Sequence, residues 1–173
     1  MRTEPDDVLI RPALHADIAG IQYVASLSWA TAYEGIIPPE VQSRAIANWY
    51  SDDSLAMAIG ARESLFLLAE RSNAVIGFVN LYCTALGVVH LARIYLLPKE
   101  QRKGLGARLI NAALELVPDG AEIVTVDVEE RNYQARSFYE RCGFVAVAAT
   151  TTDIFGFHLP LVRYEMKLEH DAA

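Results

Sequence analysis

The chain has 173 residues, the size of one domain with a substantial core. Apolar residues make up 53% and charged residues 21%, which excludes a disordered chain, and a formal charge of −7 without a long basic stripe argues against nucleic-acid binding while suiting a cationic partner. No run reaches membrane-spanning length, the N-terminal MRTEPDDVLIRPAL has no apolar leader core, and Cys83 and Cys142 form neither metal-ligand spacing nor a disulfide framework, so a cytoplasmic enzyme without metal or membrane attachment is expected.

Val8 to Leu14 reads as a first strand, closed by Pro12 and the polar His15-Ala16-Asp17. A helix follows from Asp17 to Tyr33, with Ile18, Ile21, Ala25, Trp29 and Ala32 near helical spacing and Gly35 past its end. Glu40 to Tyr50 reads as a second helix, begun after proline, and Ser54 to Ala61 as a further helical segment. Leu65–Glu70 and Val75–Cys83 form a hairpin across Arg71-Ser72-Asn73-Ala74, with Gly77 marking a bulge. Leu91 to Leu97 is apolar except for Arg93 and reads as a buried strand that Pro98 stops. The segment from Ala107 to Leu114 has helical composition, with Leu105, Leu109, Ala112 and Leu116 as its apolar positions. The turn Pro118-Asp119-Gly120 precedes an alternating strand, Ala121–Val128, in which Ile123, Thr125 and Asp127 share one face. A helix from Asn132 to Cys142, capped by Asn132 and stopped by Gly143, leads to strands at Phe144–Thr152 and Leu161–Leu168 joined by Asp153 to His158.

The stretch His90 to Ala107, HLARIYLLPKEQRKGLGA, organises the chain. A strand, a glycine-containing turn and a helix start make an anion site, because the first N–H groups of a helix lack internal partners and its dipole favours negative charge. Gly104 and Gly106 let a phosphate approach the backbone, and Arg102 and Lys103 add positive charge. An ordinary strand–turn–helix corner with a solvated basic turn fits the same residues. Neither the GxxxxGK[ST] loop nor a complete dinucleotide fingerprint is present.

Gln101-Arg102-Lys103-Gly104-Leu105-Gly106 after a strand ending in proline resembles the [QR]xxGx[GA] acyl-CoA loop of the GNAT superfamily of N-acetyltransferases. Asn132 to Phe144 matches the family's N-xx-A-xx-[FL]Y-xxx-GF pattern at every defined position. The resemblance covers about residues 8 to 168 of one catalytic domain. It implies an α/β fold of layered α+β type: a mixed central sheet of six to seven strands, about four helices, and two central parallel strands splayed apart to admit the cofactor's pantetheine arm.

Acetyl transfer from a thioester to an amine requires a held cofactor, a donor for the carbonyl oxygen as it gains charge, and routes for two protons. By resemblance, acetyl-CoA is the co-substrate. Gln101 belongs to its loop, Arg102, Lys103, Gly104, Leu105, Gly106 and Ala107 take the pyrophosphate mainly through backbone N–H groups, and Ile94, Tyr95 and Leu96 pair with the pantetheine. A backbone N–H near Leu96 polarises the acetyl carbonyl. Asn132 matches a cofactor hydrogen-bond partner, although its role as a helix cap also accounts for it. Tyr139 matches the tyrosine that protonates the departing thiolate, with core packing beside Phe138 as the alternative; an ordinary phenol, with pKa about 10, is available as an acid at neutral pH.

For the base, His90 and Asp127 fall where glutamates serve in two branches of the family, and neither is glutamate here. A strand-end surface role for His90, a cross-strand bond for Asp127 and a water chain are the other readings. Trp29, Tyr33 and the following Glu34-Gly35-Ile36-Ile37-Pro38 resemble a bacterial GNAT subset with a WxxxYxGxxP-like segment, some members of which act on polyamines or protein amino groups. The acceptor candidates are Trp29, Tyr33 and Glu34 from the first helix pair, with core packing as the other reading of the two aromatics, and Asp153 and His158 from the last β–β loop, which with Glu34 equally suit solvated loop positions. The implied activity is direct attack of a primary amine, on a small molecule, polyamine or protein, in a ternary complex. The alternative is a catalytically idle GNAT domain that binds acetyl-CoA as a sensor or interaction module, and a homodimer stays open.

Overall fold

The computed structural model describes residues 7–84 and 87–169; the first six residues, part of the stretch read above for a leader, lie outside it. Among the described residues seven strands form one mixed sheet in the order β1-β2-β3-β4-β5-β7-β6, with five α-helices packed on it. The strands are β1 (Leu9–Pro12), β2 (Ser64–Arg71), β3 (Ala74–Cys83), β4 (Val88–Leu96), β5 (Ile123–Glu129), β6 (Val145–Ile154) and β7 (Phe157–Lys167). The helices are α1 (Ile18–Ala32), α2 (Pro39–Trp49), α3 (Asp52–Gly60), α4 (Leu105–Leu114) and α5 (Tyr133–Arg141). No helix among the described residues is long and apolar enough to cross a membrane.

Hydrophobic spacing explains which faces are buried. On α1, Ile21, Val24, Ala25, Ser28 and Trp29 form a stripe inside the molecule, the i, i+3, i+4, i+7 pattern of a core-facing helix. On α4, Leu105, Leu109, Ile110 and Ala113 are buried; each large aliphatic side chain so removed from water contributes about 1.5–3 kcal/mol. Leu116, read as continuing that stripe, is 52% exposed because the helix ends at Leu114 and the next residues turn away. Val124, Val126 and Val128 are buried on one face of β5, as their alternation requires.

The β2–β3 register steps from Ala69↔Gly77 to Glu70↔Val75, so the bulge falls at Ile76, beside Gly77. The last hairpin differs from the sequence reading. Asp153 lies opposite His158 in the ladder, and Phe155-Gly156 alone forms the turn. Both turn residues have positive φ, 50° and 86°, the left-handed pair that a tight two-residue hairpin needs. Asp153 and His158 are therefore strand-end residues rather than loop residues.

The decisive feature lies at the centre of the sheet. Parallel β4 and β5 pair only at Val88↔Ile123, Val89↔Val124 and His90↔Thr125. Immediately beyond, the β3–β4 register steps from Leu81↔Leu91 to Asn80↔Arg93, which makes Ala92 an extra residue. Such a bulge bends its strand and disrupts the ladder locally. Beyond it β4 stays with β3, while β5 pairs with β7 along its whole length, from Ile123↔Lys167 to Glu129↔Leu161. The two central strands separate and leave a gap.

Candidate active site

The register determines what faces the gap. Leu97 N–H donates to Ile76 O at 2.9 Å, which makes Ile76 and Leu97 a hydrogen-bonded position of the β3–β4 ladder. Antiparallel pairs alternate, so Leu96, opposite Gly77, and Ile94, opposite Val79, turn their backbone groups away from β3 and toward the departed β5. The Leu96 carbonyl accepts from Ser28 Oγ at 2.8 Å and Gln101 Nε2 at 3.3 Å. The Leu96 N–H and both backbone groups of Ile94 are left for a third party in the gap.

The loop after β4 offers a second set of donors. The first intrahelical bond of α4 runs from Arg108 N–H to Gly104 O at 3.2 Å, and the N–H groups of residues 102–107 have no acceptor among the described residues. Gly104 holds φ 81° at the helix cap and Arg102 holds φ 60°, conformations that fold these N–H groups into a concave anion nest. Gly106 sits against α5, where an added Cβ would lie 3.0 Å from the Phe138 ring. The helix start is thereby brought close to the α5 residues described next.

Gap and loop open into one cavity of about 710 Å³. Ile94, Tyr95, Leu96, Gln101, Arg102 and Gly104 line it, together with Gly106, Ala107, Asn132 and Tyr139. Two residues of the expected cofactor set do not. Lys103 turns out to Glu100, 3.6 Å away, and the Leu105 side chain is 4% exposed in the core, so at that position only the N–H faces the loop. Arg102, Arg131 and Arg141 are among the residues that line the cavity of this acidic chain.

Asn132 caps α5, its Oδ1 accepting from Ala135 N–H at 3.1 Å, and it also reaches the cavity wall. Tyr139 is 6% exposed, packed against Phe138 at 5.2 Å and Phe144 at 5.5 Å between ring centroids. Its hydroxyl bonds to no described residue. Burial pushes this phenol well above its ordinary range, with the neighbouring Tyr33 and Cys142 adding to the effect, so it stays protonated.

His90 and Asp127 stand together at the foot of the gap, outside the cavity lining. His90 Nδ1 is 3.0 Å from Thr125 Oγ1. Burial lowers the imidazole pKa; the Asp127 charge opposes that and Arg163 adds to it. Both Asp127 oxygens are taken by Arg163, at 2.8 and 2.7 Å, a bidentate pair across β5 and β7.

The acceptor candidates separate into two groups. Trp29 is buried, donating to the Tyr50 hydroxyl at 3.3 Å, and acts in the core. The Tyr33 ring lies tilted against it, with centroids 4.7 Å apart, and its hydroxyl meets the Tyr95 hydroxyl at 3.1 Å, beside the larger cavity. Glu34 lines a second cavity of about 580 Å³ with Ile37, Pro38 and Phe157, and Thr31 and Ile36 border both cavities. Asp153 accepts from Gly156 N–H at 2.8 Å and serves the turn. His158 is exposed beside it. Instead Phe155, at the hairpin tip, reaches α2, with Trp49 stacked at 6.1 Å and Arg44 over the ring at 4.5 Å.

Sequence reasoning missed Ser28, Thr31 and Ile36 from the α1 side, and Arg131, Gln134 and Cys142 around α5. For α5 a signal was available, since Ala135 and Cys142 share the helical face of Asn132 and Tyr139. Ser28 was visible as a polar residue on the apolar stripe of α1.

A family model described as an acetyltransferase (GNAT) domain matches residues 32–168. A Bacillus subtilis (strain 168) protein described as an uncharacterized N-acetyltransferase, YhfO, is 39% identical over 89 residues, 47% of this chain and 59% of that relative. The peptidyl-lysine N-acetyltransferase YjaB of Salmonella typhimurium (strain LT2) is 32% identical over 73 residues, 42% of this chain and 48% of that relative. The chain thus spans less than two thirds of the length of either. The crystal structure of the PaiA N-acetyltransferase from Thermoplasma acidophilum in complex with coenzyme A superposes with a TM-score of 0.81 at 28% identity, over 93% of this chain and 99% of that one.

Proposed function

Because this chain belongs to the acetyltransferase (GNAT) family, we propose that it is an enzyme moving an acetyl group from acetyl-CoA to a primary amine by direct attack in a ternary complex. The observation that carries this reading is the gap itself: the backbone groups of Ile94 and the Leu96 N–H, unpaired among the described residues, open into the same cavity as the loop of residues 102–107. A pantetheine is an amide-bearing arm suited to the first set and a pyrophosphate is an anion suited to the second.

Acetyl-CoA supplies an acyl thioester. The loop N–H groups and Arg102 hold its pyrophosphate, Ile94 takes up its amide groups, and Asn132 adds a contact from α5. Leu96 N–H meets the acetyl oxygen and stabilises the charge that gathers there; one such donor is typically worth about 10²–10³ in rate. The amine forms the new C–N bond as the C–S bond breaks, the sulfur taking a proton from Tyr139. His90, outside the cavity lining, accepts the amine's proton through intervening water: its lowered pKa keeps the ring neutral near pH 7, Thr125 holds one nitrogen, and the Asp127 charge favours the imidazolium once formed.

The acceptor is a small amine, a polyamine or a protein amino group, admitted along Tyr33 and Glu34, whose phenol and carboxylate suit a cation. The similarity to a peptidyl-lysine N-acetyltransferase supports amines of that kind. We place the enzyme in the cytoplasm, acting without a metal. We also expect a homodimer through the edge strand β6, where Val145 and Val147 are 65% and 50% exposed and no charge interrupts residues 145–152; uncharged edges invite strand pairing. A thiol-release screen with acetyl-CoA against polyamines, aminoglycosides, amino acids and peptide N-termini tests the activity. Coenzyme A binding with no turnover on any amine would point to an idle binding module instead.

A further inference from the structure

Ser28 is a polar residue on the core stripe of α1, 2% exposed among Ile21, Val24, Ala25 and Trp29. A hydroxyl inside a helix ordinarily bonds back to the carbonyl four residues earlier, and Thr31 on the same helix does so, to Leu27 O at 3.1 Å. Ser28 crosses instead to the strand beside the gap and donates to the Leu96 carbonyl at 2.8 Å. Gln101 Nε2 reaches the same carbonyl at 3.3 Å, and Gln101 Oε1 accepts from Gln134 Nε2 at 2.9 Å. Side chains of α1, the phosphate loop and α5 therefore form one chain of hydrogen bonds through the last residue of β4.

The Leu96 carbonyl and the Leu96 N–H project into the same gap, as the register dictates. In a dry site an open carbonyl oxygen presents negative charge, which would oppose charge gathering on a neighbouring acetyl oxygen. We propose that Ser28 is a positioning residue for acetyl transfer: by donating to the Leu96 carbonyl it offsets the partial negative charge of that oxygen and holds the peptide beside the Leu96 N–H that meets the acetyl oxygen. The proposal rests on the acetyl-transfer reading above. It assigns to the acceptor-side helix a part in polarising the thioester.

The test compares wild type with Ser28→Ala, which removes the donor, and Ser28→Cys, which keeps the volume with a weak donor. Coenzyme A affinity is measured by calorimetry, folding by a thermal melt, and turnover by thiol release. The polarisation itself is read from the infrared carbonyl band of bound acetyl-CoA carrying carbon-13 at the acetyl carbonyl. The wild-type band should lie below that of free acetyl-CoA. In Ser28→Ala it should move back toward the free position, with kcat down about ten- to a hundredfold and coenzyme A affinity within about threefold; Ser28→Cys should fall between. A wild-type kcat in Ser28→Ala, or a lost kcat with an unmoved band, overturns the proposal. If Ser28→Ala does not fold, the band and kcat of Ser28→Cys decide in the same way. A wild type that binds no acetyl-CoA would overturn the acetyl-transfer reading together with this one, whereas wild-type turnover with an indifferent Ser28→Ala removes only the role of Ser28.

Discussion

Tyr139→Phe separates chemistry from packing more cleanly than any other change in this site. The ring is fixed by Phe138, Phe144 and Tyr164, with centroids 5.2, 5.5 and 6.5 Å away, and phenylalanine keeps all of those contacts. The hydroxyl bonds to no described residue, so its removal leaves no partner stranded, and stability should change by no more than about 1 kcal/mol. If the phenol protonates the departing sulfur, the rate should behave quite differently. General acid catalysis is worth about 10²–10⁴-fold, or about 2.7–5.5 kcal/mol of activation energy, with about tenfold as the floor where water partly replaces the phenol. The assay is thiol release at saturating acetyl-CoA, beside a thermal melt and a calorimetric titration with coenzyme A. The expected pattern is an unmoved melt, an unmoved affinity and a fallen kcat. An acyl donor with a more acidic thiol should lose less, because its sulfur departs with less help. A variant that keeps full kcat would remove Tyr139 from the mechanism and leave it as core.

Replacing Gly104 with valine should weaken acetyl-CoA binding at least about a hundredfold by calorimetry. A side chain there projects into the cavity, and φ 81° costs a branched residue about 1–2 kcal/mol, so a melt lowered by only a few degrees should accompany the loss; unchanged affinity would put the pyrophosphate elsewhere. With His90 as base, kcat/KM should fall on the acid side at or below about pH 6.5, since burial lowers its pKa, and His90→Ala should erase that limb for two amines of different basicity. If Asp127 were the base, Asp127→Asn would lower the rate at every pH and remove no limb. Burial raises the Tyr50 phenol to about 12, so the folded state holds its proton more tightly than the unfolded chain does. That contribution is complete below about pH 10 and is lost as the pH rises toward about 12, so Tyr50→Phe should flatten the alkaline decline of the melting temperature.

The order of elements and the glycine turn after β4 were legible in the residues themselves. Leu91–Leu97, Pro98 and Gly104 announce a strand, a stop and a left-handed turn through local backbone preference, and local preference survives into the fold because nothing overrides it there. Asn132, Tyr139 and Gly143 are legible for the same reason: a cap, a helical face and a helix stop are each encoded within a few residues. The acceptor side was less legible. Trp29 and Glu34 are close in sequence, yet one is sealed in the core by Trp49 and Tyr50 at the end of α2, and the other borders a cavity beside Phe157. Asp153 and His158 looked like loop residues because a two-residue turn extends the pairing on both sides of Phe155-Gly156. Long-range pairing alone makes Ala92 the extra residue of a bulge, parts β5 from β4 after His90↔Thr125, and brings Ser28 to the Leu96 carbonyl across 68 residues of sequence. Backbone groups carry no sequence signature. Which of them are paired, and which face an open gap, is fixed by the register between strands distant in the chain.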